Sequence, residues 1–159
     1  MITVLDRYTS NYYRLSVPDK LPDFSHGDKL VFSHTDKNKT ITSVGIYLGH
    51  DVDTDRTGRY QRALIGDEKI EFDEQQTLAL SHFPEFKKQF KAKFNGSIPV
   101  TARYHIFTKQ MYFYFYSEER YVFGDFVRDF QRHVQSAVFF FQIGAREAMR
   151  LSPATDHIR

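Results

Sequence analysis

Polar and apolar positions alternate through the first third of the chain, and the period then lengthens to that of a helix. Tyr12–Val17 reads as a strand stopped by Pro18 and Pro22, and Lys29–His34 reads as a second. Thr35–Lys39 is polar and turn-prone, and Thr40–Gly49 brings the chain back as the other arm of a hairpin. Gly27-Asp28 and Gly49-His50 punctuate both ends, so these residues predict a small curled sheet. Asp51–Gly58 is polar throughout and reads as a loop.

Asp67–Phe94 carries the helical period. Asp67 can cap, and Glu68, Glu71, Asp73 and Glu74 suit the positive end of a helix. Phe83, Phe86, Phe90 and Phe94 recur at the spacing of one buried stripe, with Lys87, Lys88, Lys91 and Lys93 off it. Pro84 has no amide proton for a helix interior, so the pattern predicts a break or kink there, with Pro84 suited to the first turn of a second helix. Asn95-Gly96 ends the run.

Two aromatic strands follow, Ile98–Thr108 and Met111–Tyr116, connected through Thr108–Gln110. Period two puts Phe113 and Phe115 on one face and Tyr112, Tyr114 and Tyr116 on the other. Phe123, Phe126, Val127, Phe130 and Val134 give a helix. Ala137–Ile143 is apolar and predicts a short buried strand. Gly144 permits a sharp departure into a short helix, Ala145–Leu151, and Ser152–Arg159 is expected to fray. The fold class is therefore α+β: a small N-terminal β module over 1–50, plus helices packed on a β-hairpin–helix–strand unit over 60–151. The two are expected to form one compact domain spanning 1–159.

Composition narrows the chemistry. A chain of 159 residues can bury a core without staples. It has no Cys, which excludes disulfides, a thiolate nucleophile and Cys-ligated zinc or iron–sulfur clusters. No apolar run approaches roughly 18 residues and the N-terminus lacks a signal-peptide pattern, so a soluble, cytoplasmic protein with no membrane partner is expected. A formal charge of +2 leaves a nucleic-acid partner open, because a local patch can act without a large net charge. The 16 Phe and 10 Tyr chiefly supply an aromatic core.

Asp51, Asp53 and Asp55 suggest calcium, but Arg56 and Arg62 stand where the EF-hand loop needs Gly and Glu. None of the seven His has the spacing of a helical zinc site; His34 and His50 could meet across the hairpin, without evident further ligands. No nucleophile elbow, P-loop or dinucleotide fingerprint occurs, so no cofactor, metal or catalytic residue is expected. Asp125 and Asp129 share a helix face beside Arg128 and Arg132, as a surface charge network would.

Several stretches resemble one family. Met111–Arg120 (MYFYFYSEER) resembles the "FYFTAEGR" strand and turn of bacterial RicT/YaaT proteins, which carry the polymerase-suppressor-type C-terminal domain. Phe123–Phe130 (FGDFVRDF) is similar to that family's "FRELVRDL" helix, and Phe141–Ala148 (FQIGAREA) to its "RQIGVRDEA" turn. Ser25–Phe32 followed by Thr42–Gly49 resembles its "VGDKVVVET…ELGTVV" hairpin, and Arg62-Ala63 before Asp67-Glu68 its "RKATEED" segment. The likeness runs along nearly the whole chain in order. Gly124 replaces a family Arg, and Gln135–Gly144 lacks the charged residues of the family's "RTRIELRQIG". The family's Cys-rich tail, which helps hold iron–sulfur clusters, has no counterpart in a chain without Cys. The resemblance implies a divergent, minimal member: a non-catalytic adaptor acting with protein partners in a multi-subunit RNA-processing or gene-regulatory assembly.

Two residue sets are the site candidates. Gln142, Gly144 and Arg146, with Arg128 and Arg132, would meet a partner protein: a Gly turn feeding a helix presents free N–H groups, and Arg146 suits phosphate or a carboxylate. The alternative is a strand end with a necessary Gly. Lys87, Lys88, Lys91 and Lys93, with Arg120, would track phosphates of RNA or DNA, or simply form a solvated face. Tyr112, Tyr114 and Tyr116 would stack bases beside those cations, or pack beneath a helix. Direct nucleic-acid binding and a purely structural, protein-interaction role thus stand beside the adaptor reading. A hydrolase would need a convergent acid, base and oxyanion site.

Overall fold

The computed structural model describes residues 1–151, so the expected fraying of Ser152–Arg159 lies outside the described residues. In chain order the elements are β1 (Ile2–Asp6), β2 (Tyr12–Ser16), β3 (Lys29–Asp36), β4 (Lys39–Tyr47), β5 (Thr57–Ala63) and α1 (Gly66–Lys93). These are followed by β6 (Ile98–His105), β7 (Gln110–Tyr116), α2 (Gly124–Val134), β8 (Val138–Ile143) and α3 (Ala145–Arg150). The α+β class is as expected.

The chain divides into two compact units, with the boundary at Glu68 in the first turn of α1. The β module expected over 1–50 therefore runs on to Glu68, and the described residues form two units with separate cores. The reason is β5, which closes the first five strands into a barrel in the order β1-β2-β5-β3-β4. β1 pairs β4 antiparallel, and β2 pairs β5 in parallel. Val4, Tyr13, Leu15, Leu30 and Phe32 fill the interior. The β3–β4 hairpin turns through Lys37 and Asn38, both at positive φ (49° and 65°), as a two-residue hairpin that follows strand twist requires. His34 lies opposite Ile41 and packs at a tilt against Tyr13 and Phe32, while His50 follows the far end of β4. The suggested His34–His50 meeting does not occur.

Two local features fix the barrel. An added Cβ at Gly58 would lie 2.7 Å from the Ser33 carbonyl oxygen and 2.9 Å from Leu15 Cδ2, so only Gly lets β5 approach this closely. Asp6 ends β1 fully buried. Its carboxylate accepts hydrogen bonds from Ser43 Oγ (2.5 Å), Thr9 Oγ1 (2.6 Å) and the Tyr8 N–H (3.4 Å), joining β1, the following turn and β4. Burial raises its pKa above the ordinary carboxylate range, opposed by those donors.

The second unit is a three-stranded sheet, β6-β7-β8, with β6 antiparallel and β8 parallel to the central β7. α1 and α2 bury their Phe stripes against one face: Phe86 meets Phe113 at 4.9 Å, Phe90 meets Phe115 at 4.8 Å, and Phe130 meets Phe113 at 5.0 Å between ring centroids. Of the expected break or kink at Pro84, the break does not occur, and α1 continues through Pro84 for 28 residues. The Pro ring denies the Leu80 carbonyl its helical partner, but Leu80 is 38% exposed and water can serve there, while Phe72, Ala79, Phe86 and Phe90 hold the helix on both sides. Gln76 docks α1 on β6: its Nε2 donates to the Ala102 carbonyl (3.0 Å) and its Oε1 accepts the Tyr104 N–H (2.8 Å).

β8 corrects another expectation. The apolar run Ala137–Ile143 predicts a buried strand, yet β8 is an outer strand with Phe139, Phe141 and Gln142 exposed. The seemingly continuous apolar run is an alternating one, with Val138, Phe140 and Ile143 buried.

Candidate docking face

Opposite the helices, the sheet presents a second aromatic surface. Register sets Arg103, Tyr112 and Phe139 in one row across the strands, and Thr101, Tyr114 and Phe141 in the next. α3 covers one end of this face, where Leu151 and Ala148 pack with Val100, Tyr114, Ile143 and Tyr116. The packing expected for Tyr114 beneath a helix is thus realised. Tyr112 packs at the margin of that cluster and is half-buried, and Phe139 and Phe141 are 44% and 38% exposed. Their rings form one patch: Tyr112 lies 5.0 Å from Phe139, and Tyr114 lies 5.6 Å from Phe141.

His105 completes the patch. Its ring stacks on Tyr112 with centroids 3.5 Å apart and planes 11° from parallel, and its Nε2 lies 2.9 Å from the Tyr114 hydroxyl. Burial, reinforced by the charge of Arg103, pushes its pKa down to about 3. The imidazole is neutral at physiological pH, and Arg103 is itself buried. Beyond α3 the side chains this face exposes are therefore aromatic, and the nearest charges are those of α3 itself, with Arg146 exposed.

The lysines lie elsewhere. Phe86 and Phe90 turn toward the sheet, so Lys87, Lys88 and Lys91 project from the outer arc of α1, across the sheet from Tyr112, Phe139 and Phe141. Lys93 leans on the helix layer, its Nζ 6.0 Å from the centre of the Phe126 ring. The expected array of Tyr side chains beside these lysines does not form, because helical and strand periods send them to opposite sides. None of the four lysines forms an ion pair among the described residues.

The other candidates gather at one end of the sheet. Since β7 and β8 are parallel, the segment after Tyr116 and the turn at Gly144 emerge at the same end, which brings Ser117 and Glu119, next to Arg120, onto Gln142. Gln142 is a clamp: its Nε2 donates to the carbonyls of Ser117 (2.7 Å) and Glu119 (3.0 Å) and holds the β7–α2 segment. Gly144 has φ −79° and ψ 171°, an extended backbone that any residue adopts, so the angle argued to require Gly is absent. Arg146 is exposed on α3. Arg128 and Arg132 pair with Asp125 and Asp129 on the solvent side of α2, as the spacing suggested, and Arg132 lies toward the opposite end. Residue-level reasoning missed His105, Phe139 and Phe141. Period-two spacing within Val138–Ile143, with β8 at an edge, is the signal that finds the two phenylalanines.

No family model, curated protein or solved structure matches the chain.

Proposed function

We propose that the chain is a non-catalytic adaptor that docks a partner protein on the aromatic face of its second unit, within an RNA-processing or gene-regulatory assembly. The assembly follows from the likeness to RicT/YaaT proteins. The docking mode rests on one observation, the neutral patch of Tyr112, Phe139 and Phe141 beside the uncharged His105. Exposed aromatic side chains with charge only at the α3 end suit the core of a protein interface, where aromatics are enriched and charges depleted. Nucleic acid would need cations tracking the backbone next to the stacking rings. The test is native capture with and without nuclease, followed by mass spectrometry. A protein that stays bound after nuclease treatment supports the reading, and loss of all captured protein on treatment refutes it.

A second reading has its own support. Lys87, Lys88 and Lys91 are exposed and lack carboxylate partners among the described residues, as a phosphate-contacting surface would. RNA or DNA would then lie along α1, away from the aromatic patch. Affinity that falls steeply with salt, and again when Lys87, Lys88, Lys91 and Lys93 are changed to Glu, is its signature. The cytoplasm is the compartment this reading implies, and no helix among the described residues is long and apolar enough to cross a membrane.

A further inference from the structure

The open side of β8 is unusual for an outer strand. β8 has one strand neighbour, β7, and the Ala137 carbonyl accepts the Met111 N–H within that ladder. Alternation then turns the backbone groups of Val138, Phe140 and Gln142 outward. Gln131 Oε1 accepts the Val138 N–H at 3.3 Å, but among the described residues nothing bonds the outward N–H and C=O of Phe140. Outer strands are normally blunted by Pro, charge, a bulge or a covering element. β6 has all of these: Pro99, a register shift between Pro99 and Thr101, Arg103, and the Gln76 amide on Ala102 and Tyr104. β8 is Val-Phe-Phe-Phe-Gln-Ile, with no Pro, no charge and no shift in its register.

We propose that a second copy of this chain pairs with β8, antiparallel, about a two-fold axis at Phe140. Register argues for the occupant. With Phe140 facing its own counterpart, each N–H meets the other's C=O, and Val138 faces Gln142 through the same outward groups, the Val138 N–H exchanging its 3.3 Å bond to Gln131 Oε1 for the Gln142 carbonyl. The residues between them, Phe139 and Phe141, then face each other across the seam on the exposed side of the sheet. They fall at the non-hydrogen-bonded positions where cross-strand side chains come closest and aromatic pairs stabilise most. These are the two phenylalanines of the strand that stand 44% and 38% exposed. No charge meets its like along the strand, and the solvent side of α2 alternates Asp125, Arg128, Asp129 and Arg132. The pairing would join two three-stranded sheets and continue the aromatic face across the axis. It needs no partner protein, so it stands or falls independently of the adaptor reading.

The experiment is sedimentation equilibrium of the purified full chain over a wide concentration range, with two double variants. The expected mass is twice that of the 18.8 kDa chain. Phe139→Lys with Phe141→Lys sets Lys opposite Lys at both crossings and should weaken self-association about a hundredfold. Phe139→Lys with Phe141→Glu sets Lys opposite Glu at the same crossings and should stay within about tenfold of wild type. Both sites are exposed, and far-UV circular dichroism checks that each variant is folded. A wild type that is monomeric throughout overturns the proposal. So does a dimer indifferent to the double Lys change, or one lost equally in both variants.

Discussion

The imidazole of His105 lies flat on the ring of Tyr112, 3.5 Å between centroids, at the edge of an exposed aromatic patch. Burial, with the charge of Arg103, keeps this imidazole neutral, although its ordinary value of 6.5 lies near neutrality. The neutral character of the patch is thus built into the fold.

His105 sets a pH dependence. Its folded pKa, pushed down to about 3, lies below the ordinary value of 6.5. As pH falls below 6.5 the unfolded chain takes up a proton that the folded chain refuses, so acid favours unfolding until the folded pKa is reached. Between pH 7 and pH 5 this one group should remove up to about 2 kcal/mol of stability from the second unit. Urea unfolding of wild type and His105→Gln at both pH values checks it. Equal pH dependence in the two proteins would contradict the assignment.

Two glycines should respond unequally. Gly58→Ala forces a Cβ against the Ser33 carbonyl oxygen and should destabilise the barrel by about 1–3 kcal/mol. Gly144→Val meets an extended backbone, with only Glu147 Oε1 nearby at 3.7 Å, and should cost under about 1 kcal/mol. Thermal denaturation of each variant is the measurement. A larger loss at Gly144 than at Gly58 would invert the account.

Gln142→Ala should release the segment after β7. It removes two side-chain hydrogen bonds to the carbonyls of Ser117 and Glu119, a loss of about 1–2 kcal/mol. Limited proteolysis should show faster cleavage between Ser117 and Phe123. Arg146→Ala, on the exposed side of α3, should leave both stability and that cleavage unchanged.

Asp6→Ala should be the costliest of these changes in the first unit. It strands the Ser43 and Thr9 hydroxyls, with the Ser43 bond fully buried, and should cost about 2–4 kcal/mol. Chemical denaturation checks this, and a loss below the noise would show that Asp6 is not a joint of the barrel.

The sequence made some of this plain and concealed the rest for physical reasons. The Phe86, Phe90 and Phe94 stripe and the opposite faces of Phe113 and Tyr112 were legible because helix and strand periods act locally. The barrel was not, since β5 (Thr57–Ala63) offers little beyond Tyr60 and Ala63 to pack, and takes its place through pairing with distant β2 and β3. Pro84 misled because a helix interior tolerates Pro where the freed carbonyl reaches water. Phe139 and Phe141 were hidden because exposure depends on β8 being an outer strand, which follows from sheet order. The basic residues of α1 and the tyrosines of β7 are close in sequence pattern, yet the sheet stands between them.

The central claim is that a protein partner docks on the face bearing Tyr112, and site-specific photocrosslinking tests it most directly. A benzophenone side chain placed at Tyr112, on the central strand and away from the β8 edge, should give nuclease-resistant adducts with a protein other than this chain. The same group at Lys88 should give none. Protein adducts at Lys88 with none at Tyr112 would contradict the account.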